Sequence, residues 1–184
     1  MLETLTQQPP DALLALIKLY GADPRPDKID LGVGVYRTGQ GDTPVFGAIK
    51  AAERKLVEEQ DSKAYLGPEG DMDFVHALMP YIFGTADPDM GGRIEGMQTP
   101  GGTGAVRLAA ALAKRAGVGK VLVGAPSWPN HAQILRDLGM DSGSFTHATA
   151  QGTADLDALR AALKGAAKGD AVLLHGCCHN PTGI

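Results

Sequence analysis

Residues 98–112 read Gln-Thr-Pro-Gly-Gly-Thr-Gly-Ala-Val-Arg-Leu-Ala-Ala-Ala-Leu, a glycine-rich turn followed at once by a run of strong helix formers. A helix that begins in such a turn directs unpaired backbone N–H groups outward and carries a partial positive charge at that end. Gly101, Gly102 and Gly104 leave room for a ligand, and Thr103 adds a hydroxyl group. The stretch is neither the dinucleotide fingerprint nor a P-loop. It predicts either a socket for a phosphate or carboxylate, or an ordinary glycine turn at the start of a helix.

Downstream of this helix, predicted as 102–116, apolar strands alternate with amphipathic helices. The predicted strands are 121–123, 142–147 and 171–175, and the predicted helices between them are 129–138 and 155–163. Two of the strands are continuously apolar, which is typical of a strand that is buried on both faces. The pattern therefore predicts an α/β fold, a mostly parallel sheet with helices on both faces.

Upstream of residue 98 the pattern is more irregular. Residues 29–36 are either a strand or, as Gly32 and Gly34 favour, a loop. The other predicted elements are an extended arm over 1–10, a helix capped by Asp11 with Leu13, Leu16, Ile17 and Tyr20 on one face, a helix over 46–59, a loop over 63–70, a helix over 71–83 that Pro80 bends or ends, and a short strand over 93–97.

Three loops marked by glycine or proline, at 98–104, 125–131 and 176–183, are expected to line one crevice. Each of them follows a predicted strand, and ligands of parallel sheets bind beyond the carboxyl ends of the strands. Trp128, the only tryptophan, is either a core residue or a flat ring stacked on a flat ligand. Asn180 is either part of a plain turn or an amide donor to an anionic oxygen.

Composition excludes several classes of protein. With 184 residues, 43% of them hydrophobic, and a net charge of -4, the chain has no basic footprint for nucleic acid. No apolar run approaches the roughly 18 residues needed to span a membrane, and no signal peptide is visible. The two cysteines, Cys177 and Cys178, are adjacent and poorly placed for a disulfide, which predicts a reduced, cytoplasmic protein. The same adjacency makes 175–179 a poor zinc site, so no metal is predicted.

Five motifs in order carry a family resemblance: Gly-Val-Gly-Val-Tyr at 32–36, Ala-Tyr-Leu-Gly at 64–67, Gln-Thr-Pro-Gly-Gly-Thr-Gly-Ala at 98–105, Pro-Ser-Trp-Pro-Asn-His at 126–131 and His-Gly-Cys-Cys-His-Asn-Pro-Thr-Gly-Ile at 175–184. Together they resemble the aspartate/aromatic amino acid aminotransferases, which are pyridoxal phosphate (PLP) enzymes of fold type I. The resemblance implies that residues 44–184 are the N-terminal half of the PLP-binding large domain. Residues 1–43 would be an N-terminal arm and a segment of the small domain.

The resemblance also implies roles for individual residues. Those implied to contact PLP are Gly101, Gly102 and Thr103 at its phosphate, Trp128 stacked on its ring, Asn180 at its phenolic oxygen, and Tyr65 at the phosphate of the neighbouring subunit's cofactor. Val33 and Gly34 would border the substrate, together with Trp128 and Asn180. His131 and His175 would support the ring from behind, His131 through the acidic partner of the pyridine nitrogen. These roles imply a homodimer that acts on amino acids and 2-oxo acids.

In this family the Schiff-base lysine lies further along than Ile184, and no lysine of the chain falls in the three crevice loops. We therefore expect no catalytic lysine in these 184 residues and no transaminase activity from them alone. The full-length enzyme would transaminate aspartate, aromatic amino acids or both. One alternative is a non-catalytic truncated paralogue that binds PLP weakly or pairs with a full-length subunit. A weaker one is a ligand-sensing domain of a transcription regulator.

Overall fold

The computed structural model describes residue 3, residues 12–30, residue 32, and residues 34–84 and 91–184. Residues fall into two compact units, one that ends at Ala64 and one that begins at Tyr65. The domain boundary expected after residue 43 stays a prediction.

The first unit contains two helices, α1 over Ala12–Ala22 and α2 over Gly47–Glu59. The Lys28 ammonium group donates to the carbonyl oxygens of Tyr20 at 2.7 Å and of Asp23 at 2.6 Å, at and just beyond the end of α1. The described residues between 29 and 36 form no strand, as the glycines favoured. The predicted arm (apart from residue 3), the cap by Asp11 and the side chain of Leu13 lie outside the described residues.

The second unit begins with a loop and with α3 over Met72–Phe83. The Asp71 carboxylate accepts a hydrogen bond from the N–H of Phe74 at 3.0 Å, which caps the helix start. Pro80 lies inside the helix and does not end it. Gly84 ends it instead in a left-handed conformation with φ 61°, which a residue without Cβ adopts without strain.

The prediction of a strand over 93–97 is wrong. Gly91 and Gly92 have φ of 72° and 77° and form a turn, and residues 94–99 are irregular. A Cβ at Gly96 would meet Val75 Cγ1 at 2.8 Å and Met79 Cε at 3.2 Å. The segment therefore lies against the buried side of α3 instead of pairing with a strand.

The remainder of the chain alternates helices and strands in the predicted order. The elements are α4 over Gly101–Arg115, β1 over Lys120–Ala125, α5 over Pro129–Asp137, β2 over Asp141–Thr146, α6 over Leu156–Lys164 and β3 over Ala171–Leu173. The strands form a parallel sheet of order β2-β1-β3, with Val121 opposite both Ser142 and Ala171. The α/β class and the parallel sheet are confirmed.

The core lies between the sheet and its covering helices. Val121, Leu135 and Met140 form a buried cluster, and Leu135 is only 1% exposed. Ala110 and Ala113 of α4 pack against the cluster from outside. This packing fixes the direction of β1 and therefore the position of the loop that follows it.

Candidate functional site

Helix α4 begins as an uncapped helix end. Its N-cap residue is Pro100, no side chain caps it, and its first turn contains no acidic residue. Gly101 has φ 71°, and a Cβ added at Gly102 would meet no atom within 4 Å. The first N–H groups of a helix have no partner within the helix, so this exposed end has room for an anion and the charge to attract one.

The loop after β1 places Trp128 and His131 side by side. Trp128 is the N-cap residue of α5 and its ring meets the His131 ring edge-on, with centroids 5.2 Å apart. His131 is 6% exposed, and its Nδ1 is hydrogen-bonded to Ser127 Oγ at 2.8 Å. The half-buried Trp128 lines a cavity of about 380 Å³ with Ser127, His131 and Ser144. One part of the indole is therefore packed, and another borders open space.

The loop after β3 is attached to the loop after β1 by His179. This side chain is 5% exposed, and its Nε2–H donates to the carbonyl oxygen of Pro126 at 2.8 Å. In the same loop the backbone N–H of Asn180 donates to His175 Nδ1 at 2.9 Å. Because Nδ1 accepts, the neutral His175 ring carries its proton on Nε2.

Four imidazoles form a continuous row between these loops, a feature that the sequence analysis missed. His131 meets His175 edge-on at 5.1 Å, His175 stacks on His179 at 4.0 Å, and His179 stacks on His147 at 3.5 Å. His147 immediately follows β2, so each of the three strands is followed by a member of the row. The rule that ligands gather at the carboxyl ends of parallel strands was the available signal.

Protonation of His131 and His175 is disfavoured in the folded protein. Burial lowers the pKa of His131, and the charge of His179 lowers it further. Burial is also the main cause that lowers the pKa of His175, followed by the charges of His179, His131 and His147. Within the described part of the chain, the buried Nε2 atoms of His147 and His175 have no hydrogen-bond partner. These two nitrogens are the positions where an added polar group would be stabilised.

The other residues singled out from the sequence are less constrained. The side chain of Tyr65 is fully exposed. Gly34 is exposed, with open space where a Cβ would lie, and Val33 lies outside the described residues. Of the three loops expected to line one crevice, the contacts above join those at 125–131 and 176–183. The body of α4, through Val106 and Ala109, lines a groove of about 420 Å³ that His131 and His175 also line.

No metal centre is found in the part of the chain that the structure describes, since no three His, Cys, Asp or Glu side chains are grouped to hold an ion. Cys177 and Cys178 are both free and exposed. Within the same residues no helix has the length and apolar character that crossing a membrane requires.

Comparison with known proteins identifies the family to which this fold and these loops belong. The family model for aminotransferases of class I and II matches residues 26–184. The chain therefore belongs to the class I and II aminotransferase family, whose members depend on pyridoxal phosphate. The resemblance seen in the five motifs is confirmed.

Individual relatives agree with this assignment. The chain is 51% identical over 184 residues to a tyrosine aminotransferase of Rhizobium meliloti, and 44% identical over 187 residues to an aspartate aminotransferase of Escherichia coli. Each alignment covers 100% of this chain and 47% of the relative. The chain thus spans about half the length of the curated relatives it matches.

Solved structures give the same result for the fold. An aromatic-amino-acid aminotransferase from Burkholderia pseudomallei, covalently bound to pyridoxal phosphate, superposes with a TM-score of 0.89 at 32% identity. The alignment covers 98% of this chain and 46% of that one. A cytoplasmic aspartate aminotransferase from Saccharomyces cerevisiae has a TM-score of 0.86 at 31% identity, with 98% and 45% covered.

Proposed function

We propose that this chain is the cofactor-binding half of a PLP-dependent aminotransferase. The full-length protein would be a cytoplasmic homodimer that transaminates aspartate, aromatic amino acids or both with 2-oxoglutarate. The observation that carries the proposal is the junction of two loops, in which the His179–Pro126 hydrogen bond brings the Trp128 and Asn180 segments together and the Asn180–His175 bond orders the second of them. The relatives, which include tyrosine and aspartate aminotransferases, support both substrate classes.

The residues present fit pyridoxal phosphate at both of its ends. The uncapped start of α4, with Gly101, Gly102 and Thr103, would hold the phosphate, since it offers N–H groups, no acidic residue and free space. Trp128 would stack on the ring, and the Asn180 amide would donate to the phenolic oxygen. When bound, the cofactor supplies an electron sink for the substrate's Cα.

Three further residues would act on the ring or the substrate from other sides. His131 and His175 would support the ring from behind. The buried Nε2–H of His175 has no acceptor among the described residues and could donate to a bound group. Tyr65, which is fully exposed, is free to reach the phosphate in a second subunit. Val33 and Gly34 would border the substrate carboxylate.

The test is a transamination assay of the full-length gene product, with aspartate, tyrosine and phenylalanine as donors and 2-oxoglutarate as acceptor. We expect turnover with at least one donor, and none from a polypeptide of residues 1–184 alone. Trp128→Ala should weaken PLP binding by about tenfold, the value of one good ring–ring contact, while Trp128→Phe keeps most of it. A full-length protein that binds PLP without turnover of any donor would favour the non-catalytic paralogue.

A further inference from the structure

His147 is the one member of the imidazole row that lies outside the motifs of the family resemblance. It follows β2, and its backbone is fixed on both sides: its N–H donates to the carbonyl oxygen of Ala125 at 2.9 Å, and its carbonyl oxygen accepts from the N–H of Asp155 at 2.8 Å. Its ring lies nearly parallel to that of His179, with an angle of 14° between the planes. The strand end therefore holds the ring in the stack.

The stack continues to the atom that orients Asn180. His179 is parallel to His175 within 13°, and His175 Nδ1 accepts the backbone N–H of Asn180 at 2.9 Å. A proton on Nδ1 would turn this acceptor into a donor, so that two donors would face each other and the hydrogen bond would be lost. The position of Asn180 thus depends on a neutral His175.

We propose that His147 is a positioning residue for the cofactor loop: held in the stack against His179, its imidazole disfavours a proton on His175 and so preserves His175 as the acceptor that orients Asn180. The effect on His175 concerns the row itself. The consequence for cofactor binding rests on the function proposed above.

In the described part of the chain, few other charged groups lie near the row that could influence the protonation of His175. Among the described residues, the titratable groups in contact with His175 are His131 from α5 and His179 from its own loop, and His147 at the end of β2 lies on the far side of His179. Cys177 and Cys178 of that loop are exposed. The side of α4 that lines the groove next to His175 contributes Val106, Ala109, Ala110 and Ala113, which are apolar. On the α6 side, the Asp155 carboxylate is engaged by the N–H of Ala158 at 2.8 Å.

The charge of His147 is one of the causes that lower the pKa of His175. His147→Phe keeps a flat ring in the stack but removes this charge, so the pKa of His175 should rise. The Asn180–His175 hydrogen bond would then be lost at a higher pH than in the parent protein. If Asn180 contributes to cofactor binding, the pH at which half of the binding is lost should rise by the same amount.

The experiment measures two quantities on the full-length protein and on its His147→Phe variant. Histidine-selective NMR follows the ring nitrogens of His175 against pH, and absorbance titration gives the PLP affinity over the same range. We expect both midpoints to move upward together, with affinity at about pH 8 unchanged within about twofold, since His175, whose pKa is lowered mainly by burial, is neutral there. His76→Phe, which changes an exposed histidine of α3, is the matched control and should move neither midpoint.

Two results would overturn the proposal: an unchanged His175 titration in a folded His147→Phe protein, or a loss of PLP affinity that is equal at every pH. The second is what a merely structural role would produce. His147→Asn, smaller and uncharged, takes the place of the phenylalanine variant if that one does not fold, and the same criteria apply. If the parent protein binds no PLP at any pH, the proposed function fails, whereas the NMR arm still decides the role of His147 in the row.

Discussion

Gly124 of β1 provides the most direct test of how tightly the imidazole row is packed. A Cβ at this position would meet His147 Cβ, His147 Nδ1 and Phe145 Cζ, each at 3.2 Å. All three distances are shorter than ordinary van der Waals contact. Phe145 is buried, and His147 is already stacked on His179, so neither side chain has free space to move into. Gly124→Ala therefore requires His147 and Phe145 to shift by a few tenths of an ångström against packed neighbours.

Two opposing effects set the magnitude of this change. Overpacking a filled interior costs about 1–3 kcal/mol. Replacing glycine by alanine reduces the conformational entropy of the unfolded chain, which stabilises the folded protein by about 0.4–1 kcal/mol. The steric effect wins because three contacts are involved and two of them are with one side chain, so we expect a net loss of about 1–2 kcal/mol in the free energy of unfolding. For a chain of this length the loss corresponds to a Tm lower by about 2–8 °C.

The assay is thermal unfolding by circular dichroism at about pH 8, combined with the NMR titration of His175. Gly176→Ala is the matched control, because a Cβ at Gly176 meets no atom within 4 Å, and its Tm should stay within about 2 °C of the parent. The displaced His147 ring keeps its charge, so the pKa of His175 should change less in Gly124→Ala than in His147→Phe. An unchanged Tm in Gly124→Ala would refute the reasoning on packing.

Three further outcomes follow from the structure. Leu135→Ala, at the 1%-exposed centre of the core, should cost about 2–5 kcal/mol in denaturant unfolding, whereas Leu112→Ala on the exposed face of α4 should cost less than about 1 kcal/mol. Asp155→Ala removes the cap that accepts the Ala158 N–H at 2.8 Å and should cost about 1 kcal/mol, with Asp155→Asn retaining most of it. The free energy of unfolding should fall as the pH drops below about 6.5, because the pKa values of His131 and His175 are lowered in the folded state and the unfolded chain then binds more protons. His175→Gln should make the free energy of unfolding less dependent on pH in this range. An unchanged pH dependence in that variant would contradict the lowered pKa of His175.

The second half of the fold could be predicted because its local signals agree with its tertiary structure. The apolar strands around Val121 and Ala171 and the amphipathic helices between them have the spacing of a parallel sheet. The strand predicted over 93–97 does not form, because this segment packs against α3 instead of pairing with another strand. Gly96 accommodates Val75 and Met79 of α3, and that contact depends on residues far away in sequence. Alternation within five residues carries no information about such a partner.

For the candidate site, the sequence could suggest residues but not the contacts between them. The residue types at 101–103, Trp128 and Asn180 are compatible with an anion socket, a stacking ring and an amide donor, and equally with ordinary turns and a core tryptophan. The contact of His147 with His179 was missed, because these residues lie on different loops and neither belongs to a periodic pattern. Their stacking depends on the register of β1 with β2, where Gly124 lies opposite Phe145 and makes room for the ring.

Imidazole is well suited to the packed ends of these three strands because its neutral form has one donor and one acceptor. His179 uses its donor on the carbonyl oxygen of Pro126, and His175 uses its acceptor for the N–H of Asn180. Lysine or aspartate in such a packed row would be charged and costly to bury without a partner. His175 accepts the N–H of Asn180 only while its Nδ1 carries no proton. The geometry of the site therefore depends on the protonation state of His175, and a change in that protonation state should be measurable as a change in the position of Asn180.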